Sequence, residues 1–146
     1  DSNYRPKLWE NKKVARENIN RAFECSDIAL PSLQDQMNLM ELGNEETAVE
    51  WFLSNKKRQT ILKRGSGGPR LIGAITCDCN FPLYKNVVDT TAAGDSFNAG
   101  FLAAYFCGFS AFDSARHGHA LAKVVVNHKG AICPKSSIQH LKVESL

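Results

Sequence analysis

Apolar residues recur at helical spacing in several stretches of the chain. In residues 11–24 they form one stripe among lysine, arginine, glutamate and asparagine side chains, which predicts an amphipathic helix. The stripe consists of Val14, Ile19, Ala22 and Phe23. A second helix is predicted from Ser32 to about Glu41, because Ser32 and Asp35 have the spacing of a capping box.

The next predicted helix runs from Glu45 to about Ser54. Asn44 stands directly before it, where an asparagine side chain caps the first turn well. Its inward-facing side chains are expected to be Val49, Phe52 and Leu53.

Helices also dominate the last third of the chain. One is predicted to begin near Asp95 and to include the apolar segment from Phe97 to Cys107. Ser110 starts another, which extends to about Asn127. A short helix over residues 136–143 follows the helix-breaking residues Gly130 and Pro134.

Short β-branched and apolar runs between the helices predict strands. They cover Asp27–Leu30, Thr60–Lys63, Arg70–Ile75 and Phe81–Val88, of which the last two are expected to form a hairpin or meander. Because strands alternate with helices, the pattern favours an α/β fold with a mainly parallel sheet that helices cover on both faces.

Charge excludes some classes of partner. The chain has 18 basic and 15 acidic residues, and its densest basic cluster, Lys56-Lys57-Arg58, is interpreted as a solvated helix end. Aromatic residues do not interleave with this cluster, so a nucleic-acid surface is not expected. No apolar run reaches the roughly 18 residues of a membrane span, which predicts a soluble protein.

Cysteine usage indicates the redox compartment. Five cysteines and an N-terminus unlike a signal peptide fit free thiols in a reducing cytoplasm. Cys77 and Cys79 alternate in a strand-like run, but a zinc site there would need further ligands that do not stand nearby.

The stretch Asp89 to Gly100 combines features that suit phosphate chemistry. Small residues, Ala92, Ala93 and Gly94, stand between a β-branched run and an apolar helix, so a ligand can approach the backbone. Amides at the start of a helix lack intrahelical partners and attract anions. Asp95 lies at that start; it would either cap the helix or accept the proton of a hydroxyl that attacks phosphorus.

This stretch resembles the second signature of the ribokinase-like (PfkB-type) carbohydrate kinases, D-T-x-G-A-G-D-x-F-x-A-G. With Ala92 in place of the first glycine, it is similar to the form found in 2-keto-3-deoxygluconate kinases. The resemblance implies a three-layer α/β/α sandwich. It also implies that residues 1–146 are the C-terminal part of a single kinase domain. We therefore expect a fragment whose N-terminal strands and lid are missing.

The resemblance assigns chemistry to this motif. Asp95 is the expected catalytic base, and the amides of Ala92, Ala93, Gly94 and Asp95 form the expected anion hole; alanine at position 92 should leave that hole intact. ATP and Mg²⁺ are the implied cofactors. A monovalent cation such as K⁺ is expected at Asp89, Thr91 and Ala131.

Nucleotide-binding residues are implied on two segments. The first is Lys63-Arg64-Gly65-x-x-Gly68, although these glycines would also suit a plain hairpin turn and the two cations could be solvated strand-end charges. The second is a helix face and the loop after it, which equally fit an ordinary buried face. Its expected contacts are Ala120, Val124 and Asn127.

The N-terminal pattern Asp1-x-Asn3-x-Arg5-x-x-Leu8-Trp9 resembles that of kinases acting on keto-deoxy sugar acids. There Asn3 and Arg5 are expected to contact the substrate with Asp95, since guanidinium binds carboxylate in a two-pronged way. The alternative is a structural arginine paired with a surface acid. Gln36 matches the family's metal-organising glutamate, which puts the organisation of Mg²⁺ in question.

Together these features predict ATP-dependent phosphorylation of 2-keto-3-deoxygluconate to 2-keto-3-deoxy-6-phosphogluconate. The alternatives are a kinase of ribose, fructose or a related sugar, and a non-catalytic nucleotide-binding remnant. Any homo-oligomer is expected to form through regions N-terminal to this sequence. His117 and His119, two residues apart on a helix, are not expected to share a metal, and His128 and His140 have no supporting neighbours.

Overall fold

A computed structural model describes residues 1–54, 59–73, 81–84 and 86–141. The basic cluster at Lys56-Lys57-Arg58 and the cysteines Cys77 and Cys79 lie outside these ranges. The chain divides into two compact units. The first contains Asp1–Gly65 and Pro69–Cys79, and the second contains Ser66–Gly68 and Asn80–Leu146.

Capped helices make up most of the first unit. They are α1 (Lys12–Glu24), α2 (Leu33–Met40) and α3 (Glu45–Ser54), preceded by a 3-10 turn at Pro6–Leu8. Asn11 caps α1, and its side chain accepts a hydrogen bond from the amide of Val14. Ser32 and Asn44 cap α2 and α3, with amide–oxygen distances of 3.5 and 2.9 Å. These helices confirm the predictions made from periodicity and capping residues.

The sheet of this unit has the order β1-β2-β3, where β1 is Ile28–Ala29, β2 is Gln59–Lys63 and β3 is Pro69–Gly73. Strand β1 pairs parallel to β2, with α2 and α3 in the crossover between them. Strand β3 pairs antiparallel to β2, from Gln59 opposite Gly73 to Lys63 opposite Pro69. The hairpin that was the alternative interpretation of Gly65 and Gly68 is therefore present.

The core of the first unit joins the sheet to its helices. Ile19, Phe23, Leu39, Phe52 and Leu62 are all buried in one cluster. Phe52 packs edge-on to Phe23, with ring centroids 5.9 Å apart.

Two inward assignments were wrong, because the apolar stripes are rotated by about one residue. Ala22 is exposed and Ala15 takes its place in the core. Leu53 keeps 48% of its surface exposed.

The second unit contains a helical hairpin. Helices α4 (Ala93–Phe106) and α5 (Ala111–Val125) are followed by α6 (Lys135–Ile138) and a 3-10 turn at Gln139–Leu141. The glycines at their contact allow the backbones to approach closely. A β-carbon on Gly118 would lie 2.6 Å from the carbonyl oxygen of Phe97, and one on Gly100 would lie 2.9 Å from that of His117.

The predicted strand over Phe81–Val88 is wrong for the residues described, which are 81–84 and 86–88. Instead of a strand ladder, the amides of Val88 and Asp89 both donate to the carbonyl of Val126, at 2.8 and 3.2 Å. The β-branched pair Val87 and Val88 is exposed, so its strand propensity is not supported by packing. In the part of the chain that the structure covers, no helix has the length and apolar character needed to cross a bilayer.

Candidate active site

The motif Asp89–Gly100 forms a tight turn followed by the first turn of α4. Ala92 is the residue before the helix, and the amide of Ser96 donates to its carbonyl at 2.9 Å. The amide of Ala93 is already used, since it donates to the carbonyl of Thr90 at 3.1 Å. Among the described residues, the amides of Ala92, Gly94 and Asp95 have no acceptor. Three of the four amides predicted for the anion hole are therefore available to a ligand.

Ala92 occupies a backbone conformation that favours glycine. Its φ is 59°, in the left-handed region. A β-carbon in that region costs roughly 1–2 kcal/mol. Alanine at this position therefore keeps the turn geometry expected of glycine, at a cost in stability. It also keeps a backbone amide at position 92.

The carboxylate of Asp95 lies on the exposed side of this turn. It is the third residue of α4, and no described residue pairs with its carboxylate. A capping role would require a bond to the helix amides, which the structure does not show. The acid is thus placed beside the open amides without a partner that would hold it away from a substrate.

Asp89 braces the turn from both sides. One carboxylate oxygen accepts from the amide of Thr91 and the other from the amide of Gly130, each at 2.8 Å. Hydrogen bonds from the Thr91 side chain and from the amides of Thr91 and Gly130 hold the pKa of Asp89 below its ordinary value. An ionised oxygen beside exposed Thr91 and Ala131 suits a hard monovalent cation, which prefers oxygen donors.

The two glycines of the predicted nucleotide loop are required for different structural reasons. Gly65 has φ +59° with open space at the β-carbon position, so only its backbone conformation requires glycine. Gly68 has φ +73°, and a β-carbon there would lie 2.8 Å from that of Phe81. Both glycines belong to the turn between β2 and β3, which joins the strands through a 3-10 turn at Gly65–Gly67.

Lys63 and Arg64 are not the solvated charges that the sequence left open. The amine of Lys63 lies 2.6 Å from the carboxylate of Asp1 with 11% of its side chain exposed. Arg64 is 12% exposed and lies 2.9 Å from the carboxylate of Glu45. Asp1 also accepts from the amide of Asn3 at 3.2 Å, so the N-terminal pattern is anchored at the end of β2.

Arg5 has two protein partners, a backbone carbonyl and an acid. Its Nη1 donates to the carbonyl of Tyr4 at 2.9 Å. Arg5 also lies 3.6 Å from the carboxylate of Asp35 and keeps 57% of its side chain exposed. An exposed pair of this kind contributes about 0–1 kcal/mol. The structural pairing is thus present, but it leaves the guanidinium accessible to a carboxylate ligand.

The structure buries Gln36, the residue at the expected metal-organising position. Its side chain is fully buried, and neither its amide nitrogen nor its amide oxygen has a hydrogen-bond partner in the described part of the chain. Asp35 precedes it and is 20% exposed. Since α2 is turned so that position 36 faces the core, Asp35 is the acid of this turn that faces outward. Asp35, and not Gln36, is therefore the polar side chain at these two positions that solvent reaches.

A pocket of about 490 Å³ lies along α5 in the second unit. Phe81 and Phe109 contribute aromatic walls, Ala120 lines it, and Arg116 and Lys123 supply positive charge. Of the predicted nucleotide contacts on this helix, Ala120 is at the pocket. Val124 is half-buried beyond its lining, and Asn127 is exposed after the helix end.

A buried tyrosine–histidine contact holds residues 81–84 against α5. The Nε2 of His119 lies 2.9 Å from the carbonyl of Pro82, and its Nδ1 lies 3.0 Å from the hydroxyl of Tyr84. Since a carbonyl can only accept, Nε2 carries the proton of the neutral ring, and the single hydroxyl proton of Tyr84 is shared between Nδ1 and the backbone carbonyl of His119. The Tyr84 hydroxyl is also 2.8 Å from the carbonyl of His119. Burial raises the pKa of Tyr84, which keeps it a donor.

Acid is expected to weaken this contact. Burial and the nearby charge of Lys123 lower the pKa of His119 below its ordinary 6.5, although the Pro82 carbonyl opposes the shift. The folded state then holds fewer protons than the unfolded state, so stability is full above about pH 6.5 and falls as the pH drops towards the folded pKa. Thermal unfolding measured from pH 7.5 to 5 should therefore show a steeper loss for the wild type than for His119→Gln.

The exposed His140 provides the control for that measurement. His140→Gln should leave the slope of stability against pH as it is in the wild type. Equal slopes for the wild type and His119→Gln would contradict the assignment.

Sequence reasoning missed several residues of these contacts. Tyr84 and His119 are 35 residues apart, and no short motif connects them. His128, for which no neighbours were expected, lies 2.9 Å through Nδ1 from the carbonyl of Val124. Spacing on one helix would have revealed only the second of these contacts. Within the described ranges, no group of three or more His, Cys, Asp or Glu side chains is arranged to hold a metal ion.

Comparison with known proteins places this geometry in a family. A model described as "pfkB family carbohydrate kinase" matches residues 1–138. The chain is 35% identical over 142 residues to 2-dehydro-3-deoxygluconokinase of Escherichia coli strain K12 and covers 46% of that protein. It is 37% identical over 139 residues to the enzyme of the same name from Dickeya dadantii, covering 44% of it. The matched regions include 94% and 92% of this chain.

Solved structures support the fold. The aminoimidazole riboside kinase of Salmonella enterica, crystallised with aminoimidazole riboside and an ATP analogue, matches with a TM-score of 0.82 at 25% identity. That match covers 96% of this chain and 50% of the other. Fructokinase from Vibrio cholerae O395 matches with a TM-score of 0.78 at 18% identity, covering 88% and 44%. The ribokinase-like fold expected from the motif is confirmed. The chain spans about half the length of the relatives it matches, and it belongs to the pfkB family of carbohydrate kinases.

Proposed function

We propose that this chain carries the phosphate-transfer residues of an ATP-dependent kinase for 2-keto-3-deoxygluconate. The observation that carries the proposal is the exposed Asp95 carboxylate beside the open amides of Ala92, Gly94 and Asp95 at the start of α4. The relatives named 2-dehydro-3-deoxygluconokinase support this choice of substrate.

In the proposed reaction, a hydroxyl oxygen of the sugar acid attacks the γ-phosphorus of ATP. The new oxygen–phosphorus bond forms as the bond to the bridging β–γ oxygen breaks, and ADP leaves. Asp95 takes the hydroxyl proton. The open amides of α4 donate to the oxygens on which negative charge develops.

Other residues of the chain prepare the ligands. The turn with Gly65 and Gly68 is the proposed contact for the nucleotide, with Lys63 at its base. In the second unit, Ala120 would contact the base within the pocket, and Val124 and Asn127 are proposed to lie along the same ligand.

Metal ions have proposed places as well. Mg²⁺ bound with ATP would offset phosphate charge, and Asp35 is the outward-facing acid on α2 that could orient its water ligands. Asp89, Thr91 and Ala131 would hold a monovalent cation beneath the turn, which fits the ionised state of Asp89.

Substrate choice depends on Arg5, proposed to bind the carboxylate of the sugar acid with Asn3 beside it. A charge-assisted bond of this kind contributes about 1.5–3 kcal/mol. Arg5→Ala should therefore raise the KM for the sugar acid by about 10- to 100-fold. The KM for ribose or fructose, which lack a carboxylate, should not change.

The test compares phosphoryl transfer by the 146-residue chain from labelled ATP to the sugar acid, ribose and fructose. Arg21→Ala is the matched control, since Arg21 is an exposed arginine on α1. Preference for a neutral sugar would replace the proposed substrate with another sugar. An unchanged KM for the sugar acid in Arg5→Ala would disprove the carboxylate contact alone.

A further inference from the structure

One carboxylate joins both stems of the hairpin that carries the glycine turn. The guanidinium Nη1 atoms of Arg64 and Arg70 lie 2.9 and 2.8 Å from the same oxygen, Oε1 of Glu45. Arg64 follows the last residue of β2, and Arg70 is the second residue of β3. The two arginines therefore bracket the turn that contains Gly65 and Gly68.

The surroundings shield this contact from solvent more than those of a surface ion pair. The side chains of Arg64, Arg70 and Glu45 are 12%, 22% and 24% exposed. Burial alone would raise the pKa of Glu45, but hydrogen bonds from Arg70 and Arg64 outweigh it, and the net pKa is lowered. The carboxylate is thus ionised at neutral pH, when it can neutralise both arginines.

The position of Glu45 is itself well determined. It is the first residue of α3, and Asn44 and Thr47 form reciprocal hydrogen bonds at the start of this helix. The amide of Thr47 donates to the Asn44 side chain at 2.9 Å. The amide of Asn44 donates to the hydroxyl oxygen of Thr47 at 3.3 Å. The helix start therefore holds the carboxylate in place against the hairpin stems.

Removal of the carboxylate would leave two like charges on adjacent stems without their shared partner. Arg70 stands directly opposite Leu62 in the strand ladder, and Arg64 follows one residue after Lys63, so the two cations are neighbours. Partly buried like charges repel. The stems would separate at the point where the glycine turn begins and ends.

We propose that Glu45 is a positioning residue for nucleotide binding: by holding Arg64 and Arg70 together it sets the separation of the two ends of the glycine turn, and so the fit of that turn to the phosphates and ribose of a nucleoside triphosphate. This rests on the proposed nucleotide-binding role of the turn. Glu45 itself does not contact the nucleotide.

The chain contains a close control. Glu46 is the next residue, lies in the same first turn of α3 and is exposed, and no described residue forms an ion pair with it. Glu45→Gln and Glu46→Gln remove the same charge from the same helix end. Any effect of net charge or of the helix dipole is therefore shared by both variants.

The experiment measures two quantities on the full chain. Calorimetric titration with ATP gives the nucleotide Kd, and titration with the sugar acid gives a second Kd that a general loss of folding would also change. Hydrogen exchange then reports on the backbone amides from Arg64 to Gly68. Glu45→Gln should speed that exchange and raise the Kd for ATP by about 10- to 100-fold, the order expected when about one charge-assisted hydrogen bond to the nucleotide is lost. The Kd for the sugar acid should stay the same, and Glu46→Gln should change none of these values.

Each other result has a definite meaning. Faster exchange with an unchanged Kd for ATP would reduce Glu45 to a structural role and overturn the proposal. Unchanged exchange would show that the carboxylate does not hold the stems, which also overturns it. If Glu45→Gln does not fold, Arg70→Gln, which keeps the bond between Glu45 and Arg64, should show the same selective loss in milder form.

The proposed function can fail separately. If the wild-type chain does not bind ATP, the proposed function and the nucleotide role of Glu45 are both refuted. The exchange comparison between Glu45→Gln and Glu46→Gln would still decide whether the carboxylate holds the hairpin stems.

Discussion

Asp95→Asn is expected to lower the rate of phosphoryl transfer by about 10²–10⁴-fold, the usual contribution of a positioned general base. Asparagine has almost the same shape as aspartate but cannot accept the hydroxyl proton. The backbone amides at Ala92 and Gly94 remain, so the Kd for ATP should stay close to its wild-type value. The measurement is the initial rate of transfer to the sugar acid at saturating ATP, with binding of ATP measured in parallel.

A loss of stability must be separated from this loss of rate. An acid in the first turn of a helix contributes about 0.3–1 kcal/mol through the helix dipole. Glu46→Gln removes a first-turn acid from α3 and provides the comparison, since it should change stability by a similar amount without slowing transfer. A rate in Asp95→Asn that equals that of the wild type would refute Asp95 as the base.

The second large effect is expected at the contact between α4 and α5. Gly118→Ala places a β-carbon 2.6 Å from the carbonyl oxygen of Phe97, and a backbone atom cannot rotate away as a side-chain tip can. Overpacking of this kind costs about 1–3 kcal/mol and sometimes more. The roughly 1 kcal/mol by which alanine favours a helix offsets only part of it. Thermal and urea unfolding should show a clear net loss of stability.

Gly43→Ala is the matched substitution for that measurement. Gly43 has open space around the position of a β-carbon, and its φ lies outside the left-handed region. The change should be neutral or slightly stabilising, because alanine restricts the unfolded chain. If Gly118→Ala were as stable as Gly43→Ala, the close approach of the two helices would be wrong.

Much of the fold could be predicted from local sequence. Ser32, Asn44 and Ser110 each mark a helix start that the structure confirms, because a capping bond is made within three residues of the cap. The segment Phe81–Val88 shows the limit of this reasoning. A strand requires a neighbouring strand to pair with. The composition of a segment does not show which carbonyl groups will accept hydrogen bonds from its amides.

The candidate site also contains residues that local sequence identifies and residues that it does not. The motif at Asp95 could be found because its residues are contiguous. The contacts of Glu45 with Arg64 and Arg70 span 19 and 25 residues and depend on how α3 meets the hairpin. Gln36 illustrates a third case, since one residue of helical rotation decides whether it or Asp35 faces outward. Such a rotation is set by core packing rather than by a local signal.

The contacts of Asp89 limit how far the chain can be shortened from its C-terminus without disturbing the turn at the start of α4. Its carboxylate joins Thr91, at the start of the turn, to Gly130, which lies 41 residues downstream of Asp89 and beyond the end of α5. A chain trimmed at Val125 would retain the whole signature motif but lose one of the two amides that brace it. A shortened chain that keeps both bracing amides must therefore extend at least to Gly130.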